Sequence, residues 1–168
     1  MAYLQVYTGN GKGKTTAALG LALRAVCAGQ KVHMLQFIKG MDYSELEAGT
    51  YLPGFTIEQM GRDCFIRNEP TELDRKLAKD GMERVRECLQ DPSIDVLILD
   101  EVNIALYYGL IELPELLDAI RNRQSMEVIC TGRYAPKELM DAADLVTEMR
   151  EIKHYYQKKV PARVGIEK

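Results

Sequence analysis

The sequence predicts one α/β domain, residues 1–168, built on an open, mostly parallel sheet with helices on both faces. Three observations predict it. Short apolar runs of strand length alternate with segments of helical spacing along the chain. The run DVLIL at Asp95–Leu99 is almost wholly apolar, as a strand covered on both faces requires. A glycine-rich turn, Gly9–Gly13, joins the first strand to the first helix.

In chain order, Tyr3–Thr8 (YLQVYT) is the first predicted strand. Lys14–Ala28, rich in alanine and leucine, is a helix stopped by Gly29. Lys31–Phe37 (KVHMLQF) is the second strand and Phe55–Gln59 the third. Thr71–Leu89 carries Leu73, Leu77, Val85 and Leu89 at helical spacing, and Asp91-Pro92 ends that helix. The buried strand Asp95–Leu99 follows. Pro114–Asn122 is a short helix with proline in its first turn. Glu127–Thr131 (EVICT) is another buried strand, Pro136–Ala143 a helix, and Leu145–Met149 a last central strand. Lys39–Pro53 and Met60–Pro70 are polar, with scattered glycine and proline. Such loops are where a second substrate is gripped, because ligands bind at the carboxyl ends of parallel strands.

The 168 residues are 46% apolar and 28% charged, the composition of a soluble globular protein. A net charge of −3 gives no basic footprint for nucleic acid. No apolar stretch is long enough to span a membrane and no signal peptide fits the start, so the expected location is cytoplasmic. Four cysteines occur without a CxxC pair, so zinc or redox spacing is absent. Cys27, Cys88 and Cys130 sit in apolar patterns and are expected to pack as small hydrophobes.

The strongest chemical signal is TGNGKGKTT, Thr8–Thr16, which follows a strand and opens a helix. Gly9, Gly11 and Gly13 let the backbone turn tightly and aim N–H groups inward, and the helix places its positive end at the same point. Lys14 then reaches the outer phosphates of a nucleotide, and the Thr15 hydroxyl ligates Mg²⁺. Gly9, Asn10, Gly11, Lys12, Gly13, Lys14, Thr15 and Thr16 are the expected triphosphate-binding residues, with MgATP the expected ligand. The common pattern places its first glycine where Thr8 stands; here it comes one residue later.

The strand DVLILDE ends in two carboxylates, Asp100 and Glu101. Acids at that position beside a phosphate loop hold or orient Mg²⁺, and spacing does not choose between the two. The alternative role for either is to cap the next helix. Arg133, in TGR at the end of the following strand, points to the same edge and suits phosphate through its planar fork, the alternative being a surface salt bridge. Lys39, in QFIKG, stands in a similar place and reads equally as a phosphate contact or a solvated amine. His33 alternates within a strand and reads as structural; His154 has no assigned role. There is no Ser-His-Asp pattern.

Taken together, VYTGNGKGKTTAALG (Val6–Gly20), QFIKG (Gln36–Gly40), LDE (Leu99–Glu101), TGR (Thr131–Arg133), ADLVTEM (Ala143–Met149) and KHYYQKKVPARVGIE (Lys153–Glu167) resemble the P-loop type ATP:corrinoid adenosyltransferases over nearly the whole chain. The resemblance implies a P-loop NTPase-like, RecA-like fold. It implies that Co(I) of a reduced corrinoid attacks the 5′ carbon of ATP and triphosphate leaves, in adenosylcobalamin synthesis or salvage. Lys14, Thr15 and Glu101 would carry catalysis, with Mg²⁺ on Thr15 and on Glu101 or Asp100, and Lys39 and Arg133 beside the nucleotide. A homodimer and a flavoprotein reductant are the implied partners.

Two departures stand out. Many members carry G-F-T-W after the third strand, with aromatics against the corrin. Here the segment is GRDCFI, Gly61–Ile66, with Cys64 and Ile66 in the aromatic positions and Phe65 between them. That points to a different corrinoid, such as an incomplete precursor, or to other residues displacing the lower cobalt ligand. Some members also have a leading segment over the site, whereas this sequence starts at its first strand, which implies a more open site or one closed by a partner subunit. Two other functions fit the loop: a nucleotide kinase or ATPase, which needs a group near the terminal phosphate to position the attacking nucleophile, and a binding module without turnover.

Overall fold

The computed structural model describes residues 2–62 and 69–168. In chain order the elements are β1 (Leu4–Thr8), α1 (Lys14–Cys27), β2 (Val32–Phe37), a 3₁₀ turn (Ser44–Glu47), α2 (Ala48–Tyr51), β3 (Phe55–Met60) and α3 (Glu72–Gln90). They continue with β4 (Val96–Asp100), α4 (Val102–Tyr107), α5 (Leu113–Arg121), β5 (Glu127–Thr131), α6 (Lys137–Ala142), β6 (Leu145–Glu148) and a second 3₁₀ turn (Tyr155–Lys158). The six strands form one sheet in the order β3-β2-β4-β5-β1-β6. Every pairing is parallel. Thr8, Asp100 and Thr131, the last residues of β1, β4 and β5, therefore reach the same edge of neighbouring strands.

Alternation along each strand divides the core between the two faces. Leu35, Phe37, Leu97, Leu99, Val128 and Cys130 pack on one face with Met82, Val85, Cys88 and Leu89 of α3. Met34, Ile98 and Ile129 pack on the other with Ala18, Ala22 and Ala25 of α1. The α1 stripe is alanine, so that helix lies close on the sheet and carries its amino end directly to the tip of β1. Helix α3 starts at a capping box: Thr71 accepts from the Asp74 amide while the Asp74 carboxylate accepts from the Thr71 amide. Arg62 grips the same carboxylate with two hydrogen bonds of 2.6 and 2.9 Å, tying the loop after β3 to the start of α3. Gly81 is required on α3 because a Cβ there would come within 2.7 Å of the Phe37 ring.

Two expectations need correction. The sequence predicts Leu145–Met149 as a central strand, yet among the described residues β6 is an edge strand paired only with β1. Its Leu145 and Val146 stay 44% and 43% exposed. A short apolar run reads the same in the centre and at the edge; only the sheet order distinguishes them. Cys27 is exposed while Cys88 and Cys130 are buried. It closes α1 outside the alanine stripe, so it faces solvent. Helix α4 and the short turns around Ser44–Tyr51 are additions to the predicted elements, because they are too brief to show a period. Cys64, Phe65 and Ile66 of the predicted corrinoid-facing segment lie outside the described residues.

Candidate active site

The phosphate loop runs from β1 to α1. Gly9 and Gly13 take φ of 97° and 120°, the left-handed region that favours glycine. Gly9 and Gly11 are needed for a second reason. A Cβ on Gly9 would lie 2.4 Å from the Met149 carbonyl oxygen, and one on Gly11 would lie 2.8 Å from it. The loop is thus seated on the backbone that follows β6, and the Gly11 amide donates to the Met149 carbonyl at 2.7 Å. Lys14 is buried, and its Nζ donates to the Gly11 carbonyl at 2.8 Å. Burial lowers its proton affinity, with Glu101 and Asp100 pulling the other way and Arg133 adding to the fall.

Behind the loop, Asp100 is fully buried and organises a polar cluster. Its Oδ1 accepts from the hydroxyls of Thr15 at 2.8 Å and Thr131 at 2.6 Å. Its Oδ2 accepts from Lys39 Nζ at 2.7 Å and from Gln36 Nε2 at 3.2 Å. Every acceptor position of the carboxylate is thereby used from several elements, as a buried charge requires. Burial works against the Lys39 charge, but Asp100, with Glu101 and Glu45 beside it, outweighs that and raises its pKa. Lys39 is therefore neither a solvated amine nor free; it is the counter-ion of Asp100.

Glu101 has a different role from its neighbour. Its backbone is left-handed, with φ of 57°, and its amide donates to Thr131 Oγ1 at 3.1 Å. That conformation turns its side chain into the cavity. It stands at the N-cap position of α4 without making a side-chain cap. Burial and the repulsion of Asp100 raise its pKa, opposed by Lys39, Lys14 and Arg133.

The cavity at this edge has a volume of about 670 Å³, within the range of small-molecule sites. Of the residues expected from sequence, Gly11–Thr16, Lys39, Glu101 and Arg133 line it. Gly9 and Asn10 belong to the loop but not to the cavity wall, and Asp100 stands behind it. Residues not foreseen as contacts also line it: Tyr43, Ser44 and Glu45 from the first 3₁₀ segment, Ile104 and Tyr108 around α4, and Gly165–Lys168 near the end of the chain. Gln36 and Thr131 join the cluster from strand ends, and that position is the signal the sequence carries for them. His154 lines the cavity too, and its Nδ1 accepts from the Tyr156 amide at 3.0 Å.

The donor set suits a hard divalent cation. Thr15 and Glu101 on the cavity wall offer only oxygen, Asp100 stands behind them with its acceptor positions in use, and Mg²⁺ takes one or two protein oxygens and completes its shell with water and phosphate. No group of three or more His, Cys, Asp or Glu suited to hold a metal by themselves occurs among the described residues. A bound phosphate chain would supply the remaining ligands.

Comparison with known proteins follows the same line. The family model described as ATP:corrinoid adenosyltransferase BtuR/CobO/CobP matches residues 1–167. A corrinoid adenosyltransferase of Escherichia coli (strain K12) is 35% identical over 172 residues, covering 96% of this chain and 83% of the relative. One from Pseudomonas aeruginosa is 36% identical over 167 residues, covering 98% of this chain and 82% of the relative. Among solved structures, the RadB recombinase superposes with a TM-score of 0.53 at 16% identity, covering 90% of this chain and 76% of that one. That last likeness concerns the fold alone. By the extent of the family match and the identity to its members, this chain belongs to the ATP:corrinoid adenosyltransferase family.

Proposed function

We propose that the protein transfers the 5′-deoxyadenosyl group of ATP to the Co(I) of a reduced corrinoid and releases triphosphate. The observation that carries this reading is one continuous cavity. It joins the phosphate loop, Lys14 and Arg133 to an apolar wall of Ile38, Ile104 and Tyr108. The loop, Lys14 and Arg133 suit a polyanion; the apolar wall suits the nucleoside.

In this reaction the cobalt electron pair forms the bond to the 5′ carbon, the bond from that carbon to the triphosphate oxygen breaks, and triphosphate leaves with the electrons. The nucleophile arrives ready-made on the substrate, so the protein has two tasks: alignment and neutralisation of the leaving group. The loop amides at the amino end of α1 face the phosphates with a favourable dipole. Lys14 exchanges its Gly11 carbonyl for a phosphate oxygen, and the gain in charge pairing reverses the effect of its burial. Arg133 adds a second cation from the turn just after β5. Mg²⁺, held through Thr15 with Glu101 and Asp100 beside it, would neutralise further charge on the triphosphate. Asp100 keeps the Thr15 hydroxyl aimed. A homodimer, a cytoplasmic location and a flavoprotein source of reducing electrons complete the reading.

One observation favours a second reading. Glu101 faces the cavity with a raised proton affinity, as a base for phosphoryl transfer would. Anaerobic incubation with MgATP, a reduced corrinoid and a strong reductant separates the two. Triphosphate with an alkylated corrinoid is the expected result. ADP with phosphate would favour the second reading, and unconsumed ATP would sink both.

A further inference from the structure

The segment from Arg163 to Lys168 belongs to no helix or strand, yet it forms a wall of the nucleotide cavity. The apolar core does not hold it there: Val164 is 79% and Ile166 55% exposed. What holds it is a clasp centred on one carboxylate. Glu167 accepts from the Tyr155 hydroxyl. It also accepts from the Arg163 amide at 2.9 Å and from the Arg163 guanidinium at 3.2 and 3.1 Å. The same guanidinium lies over the Tyr155 ring, 5.1 Å from its centre. The clasp fastens the segment to the second 3₁₀ turn.

Two tethers then carry it across the cavity. Lys12 of the phosphate loop donates to the Ile166 carbonyl at 3.1 Å. Ser44 of the first 3₁₀ turn donates to the Lys168 carbonyl at 2.9 Å. The strap thus bridges the loop and the turn, both of which line the cavity. The half-exposed Ile166 lines the cavity, which also has the apolar Leu19, Ile38 and Ile104 on its walls. The loop amides, Lys14 and Arg133 already account for the triphosphate. The strap adds an apolar side chain and backbone groups, which suit a base and a ribose.

We propose that residues 163–168 are a positioning strap for the nucleoside half of ATP, locked in place by Glu167. The proposal rests on the nucleotide reading above and adds a division of labour: the loop holds phosphates, the strap holds adenosine. A segment held by a few exposed polar contacts opens at low cost, so weakening the clasp should loosen the strap and leave the sheet intact.

The test is calorimetric titration of the wild type and of Glu167→Ala, each with MgATP and with magnesium-bound inorganic triphosphate. Loss of the clasp should weaken ATP about tenfold and change triphosphate less than about twofold. Glu167→Gln, which keeps one acceptor, should fall between. In turnover assays, KM for ATP should rise more than kcat falls, and thermal melting should stay at the wild-type value. Equal weakening of both ligands would place the strap on the phosphates and overturn the proposal, as would unchanged ATP affinity. If the wild type bound neither ligand, the nucleotide reading itself would fail.

Discussion

The Thr15 hydroxyl donates to Asp100 Oδ1 at 2.8 Å, linking the first turn of α1 to the tip of β4 across 85 positions of sequence. The carboxylate that orients this hydroxyl also neutralises Lys39, whose side chain is only 14% exposed. Asp100→Ala would leave Lys39, Thr15, Thr131 and Gln36 short of an acceptor. We expect a stability loss of about 3 kcal/mol in urea denaturation, together with loss of turnover. Asp100→Asn keeps one acceptor and should cost less stability while still impairing turnover. An alanine variant as stable as wild type would show that the cluster contributes little.

Lys14→Ala should separate activity from folding in the opposite sense. The amine is buried and its charge disfavoured there, so removing it leaves no stranded partner beyond one carbonyl. Stability should stay within about 1 kcal/mol of wild type, while turnover should fall at least about 100-fold. Near-normal turnover would count against the triphosphate assignment.

Glycines in and beside the loop are not equivalent. Gly11→Ala would drive a methyl to 2.8 Å from the Met149 oxygen and 2.9 Å from the Arg150 carbonyl carbon. That clash is with backbone, so the loop must move; a loss of about 1–3 kcal/mol and weaker ATP binding are expected. At Gly20, within α1, an added methyl would meet nothing within 4 Å. Gly20→Ala should therefore stabilise by about 0.5–1 kcal/mol through helix propensity. Melting temperatures of the two variants should move in opposite directions.

Much of this architecture is legible in the sequence because the central strands β2, β4 and β5 are buried on both faces and the loop announces itself by glycine spacing. The DVLIL run, the capped helix after Thr71 and the TGNGKGKTT turn each depend on local chemistry. What escaped depends on partners far away in sequence. Lys39 read as undecided because its partner, Asp100, is 61 positions off. The assignment of Asp100 to the cluster and Glu101 to the cavity follows from one left-handed residue, which no spacing rule signals. Gly165–Lys168 carry no periodicity, so their place on the cavity wall was invisible. The edge position of β6 is a matter of strand order, which composition does not encode.

His33 gives the fold a pH response. It is buried on β2, with Nδ1 2.7 Å from the Thr56 hydroxyl and Nε2 3.3 Å from Glu58. Burial lowers its proton affinity below the ordinary 6.5; Glu58 pulls upward and Arg84 adds to the fall. The unfolded chain thus binds the proton more readily. Its stability contribution is fully present above pH 6.5 and is lost as pH falls through the lower folded value. The urea midpoint should drop between about pH 7.5 and 5.5, and His33→Gln should flatten that slope. An unchanged slope in the variant would assign the response to other groups.

The seating of the phosphate loop on the backbone after β6 has a consequence during synthesis. Gly11 is made early and Met149 late, yet the Gly11 amide needs the Met149 carbonyl. Leu4 likewise waits for Asp144, whose carboxylate accepts its amide at 2.8 Å. At about 5–20 residues per second, a ribosome takes on the order of ten seconds to bridge that gap. A product that stops short of Met149 therefore lacks the carbonyl on which the phosphate loop is seated, and its loop is expected to stay unformed.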